Sequence, residues 1–229
     1  MPRRKIIRGD VGEYRNYNIN DIYTYDQVQL DIIIDALEYY QELSEQDSTS
    51  DYVVFDITIN TDETTKSQLF NGEHYDDGLE YVAFNPNSLK QVLPAENYYY
   101  RWTREFKTKY GMGEHYHLMV IANHFPPSQL RTIQEAVKNL DGVLTAFLSP
   151  RELEDDDPRG KIHFHWLNRD GVDGIDDAVT RHCYRAKLDQ KLKGMKRSFD
   201  GSREMKPLLP VSSRKQQQFI AQHNVEVMF

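Results

Sequence analysis

The sequence is poor in cysteine: Cys183 is the one thiol in 229 residues. That excludes an internal disulfide and any CxxC metal knuckle. Long apolar runs are missing too. The longest aliphatic stretch is a handful of residues, Leu118-Met119-Val120-Ile121-Ala122, far short of the ~20 needed to span a bilayer. No apolar h-region follows Met1-Pro2-Arg3-Arg4-Lys5, so no secretory signal is expected. There is no internal repeat, no long low-complexity tract, and no helicase or ATP-binding signature. These absences point to a soluble protein of a reducing cytosol with no membrane partner.

What is present is enough for a core. The hydrophobic fraction is 39% with 12% aromatics, which argues against wholesale disorder. The length suits one domain with an appendage or one large α+β domain. The formal net charge of −8 argues at first against a nucleic-acid partner, but the charge is unevenly spread. Residues 181–229 carry eleven Lys/Arg against four Asp/Glu, a balance of +7 that leaves −15 for residues 1–180. A smaller basic cluster, Arg3, Arg4, Lys5 and Arg8, opens the chain. The local field governs attraction of a polyanion more than the total does.

Hydrophobic spacing organises the rest. Val28, Leu30, Ile32, Ile33, Ile34, Leu37 and Tyr40 predict a helix of about four turns capped by Asp26. The polar stretch 45–51 then marks a boundary, making 1–48 a helical extension, 49–195 the main domain and 196–229 a basic tail. Strands are predicted over 52–59, 98–106, 115–122, 143–148 and 161–167. A short helix is expected near 88–93, another from Pro126-Pro127-Ser128 to Leu140, and a last one from Ile175 to about Lys193. The expected fold is α+β, an antiparallel sheet backed by helices.

Chemistry concentrates in two places. In His115-Tyr116-His117 on a strand, the two imidazoles share a face about 7 Å apart and can converge on one divalent ion. Tyr116 and Leu118 turn the other way. Glu105, across a turn at Gly111-Met112-Gly113, offers a carboxylate, and two histidines with one carboxylate suit Mn²⁺ or Mg²⁺. Thr103, Asp56 or a water are alternative third ligands, and the pair could instead line a polar sheet face. The second place is Arg181-His182-Cys183-Tyr184-Arg185-Ala186-Lys187, where Tyr184 and Lys187 share a helix face. An ammonium beside Tyr184 favours its phenolate, the nucleophilic form. A further same-face pair, His163 and His165, could make another site with His182 or simply contact DNA.

Taken in order, Trp102-Thr103-Arg104-Glu105, the His115/His117 strand with its apolar run, and Tyr184-Arg185-Ala186-Lys187 resemble the HUH endonucleases, the single-strand nickases of rolling-circle replication. Asn123 after the histidine strand, residues 184–191 and Arg197-Ser198-Phe199-Asp200-Gly201-Ser202-Arg203 resemble more narrowly the inovirus-type initiators of filamentous phages. The likeness covers roughly residues 50–205 and leaves the amino-terminal helix unexplained. It implies a five-stranded antiparallel sheet of HUH/RRM-like form with flanking helices, and a metal held by His115, His117 and Glu105. Tyr184 would attack a DNA phosphodiester to give a 5′-phosphotyrosyl adduct, with Lys187 stabilising the developing charge. Position 188 is Leu, which implies a single-tyrosine enzyme.

The implied partners are a single-stranded DNA origin or hairpin, a host helicase and a polymerase, in the host cytoplasm. Arg185, Lys191, Arg197 and Arg203 are expected along the DNA backbone, and Trp102 under a base. Two other classes fit the same residues: a metal-dependent nuclease or phosphoesterase using water, and a non-catalytic single-strand-binding module.

Overall fold

The computed structural model describes residues 6–8, 12–20, 23–47, 49–61, 84–107, 113–126, 129–148, 164–168, 174–188 and 199–211. Four short strands open the chain: β1 (Ile6–Arg8), β2 (Glu13–Tyr14), β3 (Tyr17–Asn18) and β4 (Thr24–Asp26). β1 pairs antiparallel with β4, and β2 with β3. The Asp26 side chain then accepts from Gln29 N and starts α1 (Gln27–Gln46). Leu30, Ile33, Ile34, Leu37 and Tyr40 recur at the spacing of one helix face and are all buried. The helix is longer than the expected four turns because its last turn, rich in helix-forming residues, keeps Ser44 buried and Leu43 half-buried.

The main sheet follows. β5 (Tyr52–Thr61) leads through a 3₁₀ turn at Pro86–Ser88 and the short α2 (Leu89–Val92) to β6 (Tyr98–Lys107) and β7 (Gly113–Asn123). Then come α3 (Leu130–Lys138), β8 (Val143–Leu148), β9 (Phe164–Trp166), α4 (Ile175–His182) with a 3₁₀ turn at Cys183–Ala186, and β10 (Phe199–Gly201). The order is β10-β6-β7-β5, and the outer edge of β5 is shared. β8 takes Ile57 to Thr61, and β9 takes Val53 to Phe55. Every pairing is antiparallel.

Both faces of the sheet are covered, which explains why β5 and β7 read as nearly continuous apolar runs. On one face Val53, Phe55, Ile57, Tyr100, Trp102, Leu118 and Val120 pack under α2 and α3. On the other, Val54, Tyr99, Met119 and Ile121 pack under α1 and α4.

One expectation changes here. Among the described residues the sheet has six strands rather than five, because Phe199–Gly201 pairs with Thr103 to Arg101 on the edge of β6. Gly201 is required there: its φ is +149° and a Cβ would collide with Tyr100 O. Residues 199–211 thus belong to the fold, with Leu208 and Val211 buried. α1 packs against the sheet. Its five apolar side chains, each worth roughly 1.5–3 kcal/mol when buried, complete one layer of the common core. Among the described residues no helix is long and apolar enough to cross a membrane.

Candidate metal and nucleophile site

Register builds the first half of the site. β6 and β7 pair with Glu105 opposite His115 and Thr103 opposite His117, while Thr58 of β5 lies on the other side of His117. Alternation turns all five side chains to the α1/α4 face. Glu105 is fully buried, His115 is 2% exposed, and His117 keeps a little more surface. The Glu105, His115 and His117 ligand atoms all lie within 4.8 Å of one another, a group that could hold a metal ion.

Both imidazoles present Nε2 to one carboxylate oxygen, His117 at 3.5 Å and His115 at 3.7 Å from Glu105 Oε2. These are long for hydrogen bonds, and neither Glu105 oxygen accepts one of good geometry. A wholly buried carboxylate with under-satisfied oxygens, faced by two nitrogens, fits a cation. Thr103 and Asp56 are engaged elsewhere: the Thr103 hydroxyl donates to Arg185 O at 3.4 Å, and Asp56 sits in an ion-pair cluster described below.

The second half comes from the chain after α4. Tyr184 Oη lies 2.6 Å from His117 Nδ1, with the rings edge to face at 5.1 Å. Thr58 Oγ1 is 3.3 Å from the same nitrogen. Lys187 Nζ reaches to 3.2 Å from Glu105 Oε2 and stands 4.7 Å from the Tyr184 ring centre. The geometry therefore brings Glu105, His115, His117, Tyr184 and Lys187 together.

The local structure differs from the expected helix through Lys193. The α-helix ends at His182, tightens to 3₁₀ over Cys183–Ala186, and leaves Lys187 extended. The cause is competition for backbone bonds. Lys187 bridges Tyr25, and Leu188 N donates to Thr24 O at 2.8 Å, so β4 draws the chain out of the helix. Tyr184 and Lys187 still meet, because residues three apart nearly eclipse in a 3₁₀ turn.

Burial dominates the electrostatics. It holds His117 below its ordinary value, which favours the neutral ring that a metal ligand needs. Burial would raise Glu105, but the two imidazoles and the Lys187 ammonium outweigh it and leave the carboxyl well below its usual range. Burial, helped by the Glu105 charge, pushes the Tyr184 phenol well above its ordinary value.

Behind the tyrosine lies a second polar cluster. Arg185 is buried and pairs with Asp56 Oδ1. Its other arm donates to His182 Nδ1, and Arg181 Nε is 3.4 Å from Asp56 Oδ2. From β9, His165 stands with its ring 6.0 Å from that of His182 and its Nδ1 3.2 Å from Asp177 Oδ2. Burial first, then His165 and Arg181, push His182 well below its ordinary value, so its neutral ring can accept from Arg185. The unfolded chain therefore binds the extra proton below pH about 6.5, and stability should fall as pH drops, by up to about 1.4 kcal/mol per unit for this group. His117 acts with the same sign. His182→Gln is expected to flatten the dependence of the urea midpoint on pH between 6.5 and 5; an unchanged slope would acquit His182.

Two expected DNA contacts are corrected. Arg185 is no surface cation, since Asp56 and His182 hold it inside the protein. Trp102 lies on the opposite face of the sheet, 7% exposed and edge to face with Tyr116 at 5.7 Å, because even positions of β6 point to the α2/α3 layer. Arg203 is exposed beyond β10. Lys191, Arg197 and His163 lie outside the described residues. Sequence reasoning missed Asp56 as the anchor of Arg185, although a charge within Val53-Val54-Phe55-Asp56-Ile57 was a signal of a buried partner. It also missed Tyr23, whose ring lies 5.4 Å from Lys187 Nζ. Compared with known proteins, the chain matches no family model, no curated protein and no solved structure.

Proposed function

We propose that the chain is a metal-dependent endonuclease of the HUH type that nicks and rejoins single-stranded DNA, serving as a rolling-circle replication initiator. One observation carries the reading: a phenol from the turn after α4 meets, at 2.6 Å, an imidazole whose other nitrogen faces a buried carboxylate beside a second histidine. A nucleophile, a candidate cation site and an ammonium share a few ångströms. A purely structural tyrosine has no need of that company.

In this reading His115, His117 and Glu105 hold Mn²⁺ or Mg²⁺, which when bound supplies charge stabilisation to a phosphodiester. The chain's own groups do the rest. His117 Nδ1 fixes the direction of Tyr184 Oη, and Thr58 steadies that imidazole. Tyr184 Oη gives up its proton to solvent as it bonds to phosphorus, while the bond from phosphorus to the 3′-oxygen breaks and that oxygen takes a proton from solvent to leave as the 3′-hydroxyl. Lys187 opposes the negative charge that builds up. The product is a 5′-phosphotyrosyl ester, which conserves the energy of the broken bond and allows rejoining by the 3′-hydroxyl. The exposed Arg203 and the basic residues Lys191 and Arg197 are assigned to the DNA backbone. A host helicase and polymerase, in the cytoplasm, would use the new 3′ end.

Incubation with single-stranded oligonucleotides labelled at the 3′ end, with Mn²⁺, should give a protein band that carries label through a denaturing gel. A chelator should prevent it. Free 5′-phosphate ends without adduct would instead favour a water-using nuclease. Binding indifferent to chelator, with no cleavage, would favour a binding module.

A further inference from the structure

Lys187 has an unusual station for a lysine. Its side chain is 6% exposed, and its backbone is pinned by the bridge to Tyr25, the Lys187 N bond to Tyr184 O and the Leu188 N bond to Thr24 O. The residue cannot withdraw, and only its side-chain torsions remain free. The ammonium ends 3.2 Å from Glu105 Oε2, the oxygen to which both His115 and His117 turn Nε2. A divalent ion held by these three ligands must approach that oxygen to about 2.0–2.2 Å. It would then stand beside a buried positive charge that already uses the same oxygen.

Charge matching gives this contact a direction. Glu105 and Lys187 carry opposite formal charges and pair at 3.2 Å, so the carboxylate is compensated without an ion. Adding a divalent ion leaves two surplus positive charges in a buried place, a state that calls for anions. A phosphodiester brings one negative charge for each scissile group. The Tyr184 ring lies 4.7 Å and the Tyr23 ring 5.4 Å from the ammonium, both able to receive a cation on their faces.

We propose that Lys187 is the resident counter-ion of the metal-free site and that a divalent ion displaces it from Glu105 toward Tyr184 and Tyr23, so that metal loading itself prepares the site for a phosphodiester. This rests on the reading of Glu105, His115 and His117 as metal ligands. Lys187 thereby weakens metal binding and couples it to binding of DNA.

Calorimetric titration of the full chain with Mn²⁺ alone tests both levels. Lys187→Met is expected to bind Mn²⁺ about tenfold more tightly than the unaltered protein, because the competing charge is gone and Glu105 is left uncompensated. His115→Ala is expected to lose binding. Equal or weaker binding by Lys187→Met, with binding lost in His115→Ala, would overturn the counter-ion role and leave the metal site standing. Unchanged binding by His115→Ala would overturn the metal site. Should Lys187→Met not fold, the unaltered protein answers through the ammonium resonance of Lys187 in an ¹H–¹⁵N spectrum. That signal should move on addition of Mg²⁺, and a stationary signal overturns the proposal.

Discussion

Tyr184→Phe should abolish the covalent protein–DNA adduct and lower single-strand cleavage by on the order of 10³-fold or more, the scale set by removing the attacking atom from a nucleophilic enzyme. The substitution removes one oxygen, which lies 2.6 Å from His117 Nδ1. Losing that hydrogen bond costs only about 0.5–1.5 kcal/mol, so fold and Mn²⁺ affinity should survive. The two readouts separate chemistry from structure: adduct on a denaturing gel, metal binding by calorimetry. An adduct that persists in Tyr184→Phe would assign the nucleophile elsewhere. Tyr23 would then be the first suspect, since its ring lies near the same ammonium, and mass spectrometry of the linked peptide would decide. Cleavage that persists without an adduct would favour water as the attacking group.

The sequence carried the site further than it carried the fold around it. Period-two alternation was enough to put His115 and His117 on one face and Tyr116 and Leu118 on the other, because a strand leaves no other choice. Glu105 was a candidate across the Gly111-Met112-Gly113 turn, with Thr103, Asp56 or a water left open, and the strand register sets it opposite His115. What local pattern could not reveal was competition among distant backbone partners. The apolar spacing through Ile175, Ala178 and Val179 was helical, but nothing near Tyr184 signalled that Thr24 and Tyr25 would draw Lys187 and Leu188 into extended pairing. Phe199-Asp200-Gly201 was too short to show a strand period; it is a strand because the free edge of β6 needs a partner. Arg185 and Trp102 were misread for one reason. Residue type suggested exposure to DNA, whereas burial is decided by which layer a position faces.

Arg185→Met is expected to be among the most damaging single changes in the protein. Arg185 and Asp56 are both almost wholly buried and directly paired. Removing the guanidinium leaves Asp56 with the partly exposed Arg181 and the buried His182 ring, each at 3.4 Å, and takes from His182 Nδ1 the donor it accepts from. Breaking such a pair from one side typically costs about 3–5 kcal/mol. At roughly 2–4 °C per kcal/mol for a chain of this size, the melting temperature should drop by on the order of 10 °C in calorimetry or circular dichroism. The companion double variant, Asp56→Leu with Arg185→Met, removes both charges and should regain most of the loss, because an apolar pair needs no solvation. A drop of under about 2 °C in the single variant, or no recovery in the double, would mean that the pair is not what anchors this turn. The double variant also probes function. Arg185 adjoins Tyr184, and its carbonyl accepts from Thr103, so the ion pair ties the nucleophile's turn to the strand beside the histidines. A stable but slow double variant, with normal Mn²⁺ affinity, would show that this tie holds the phenol over the site rather than merely holding the protein together.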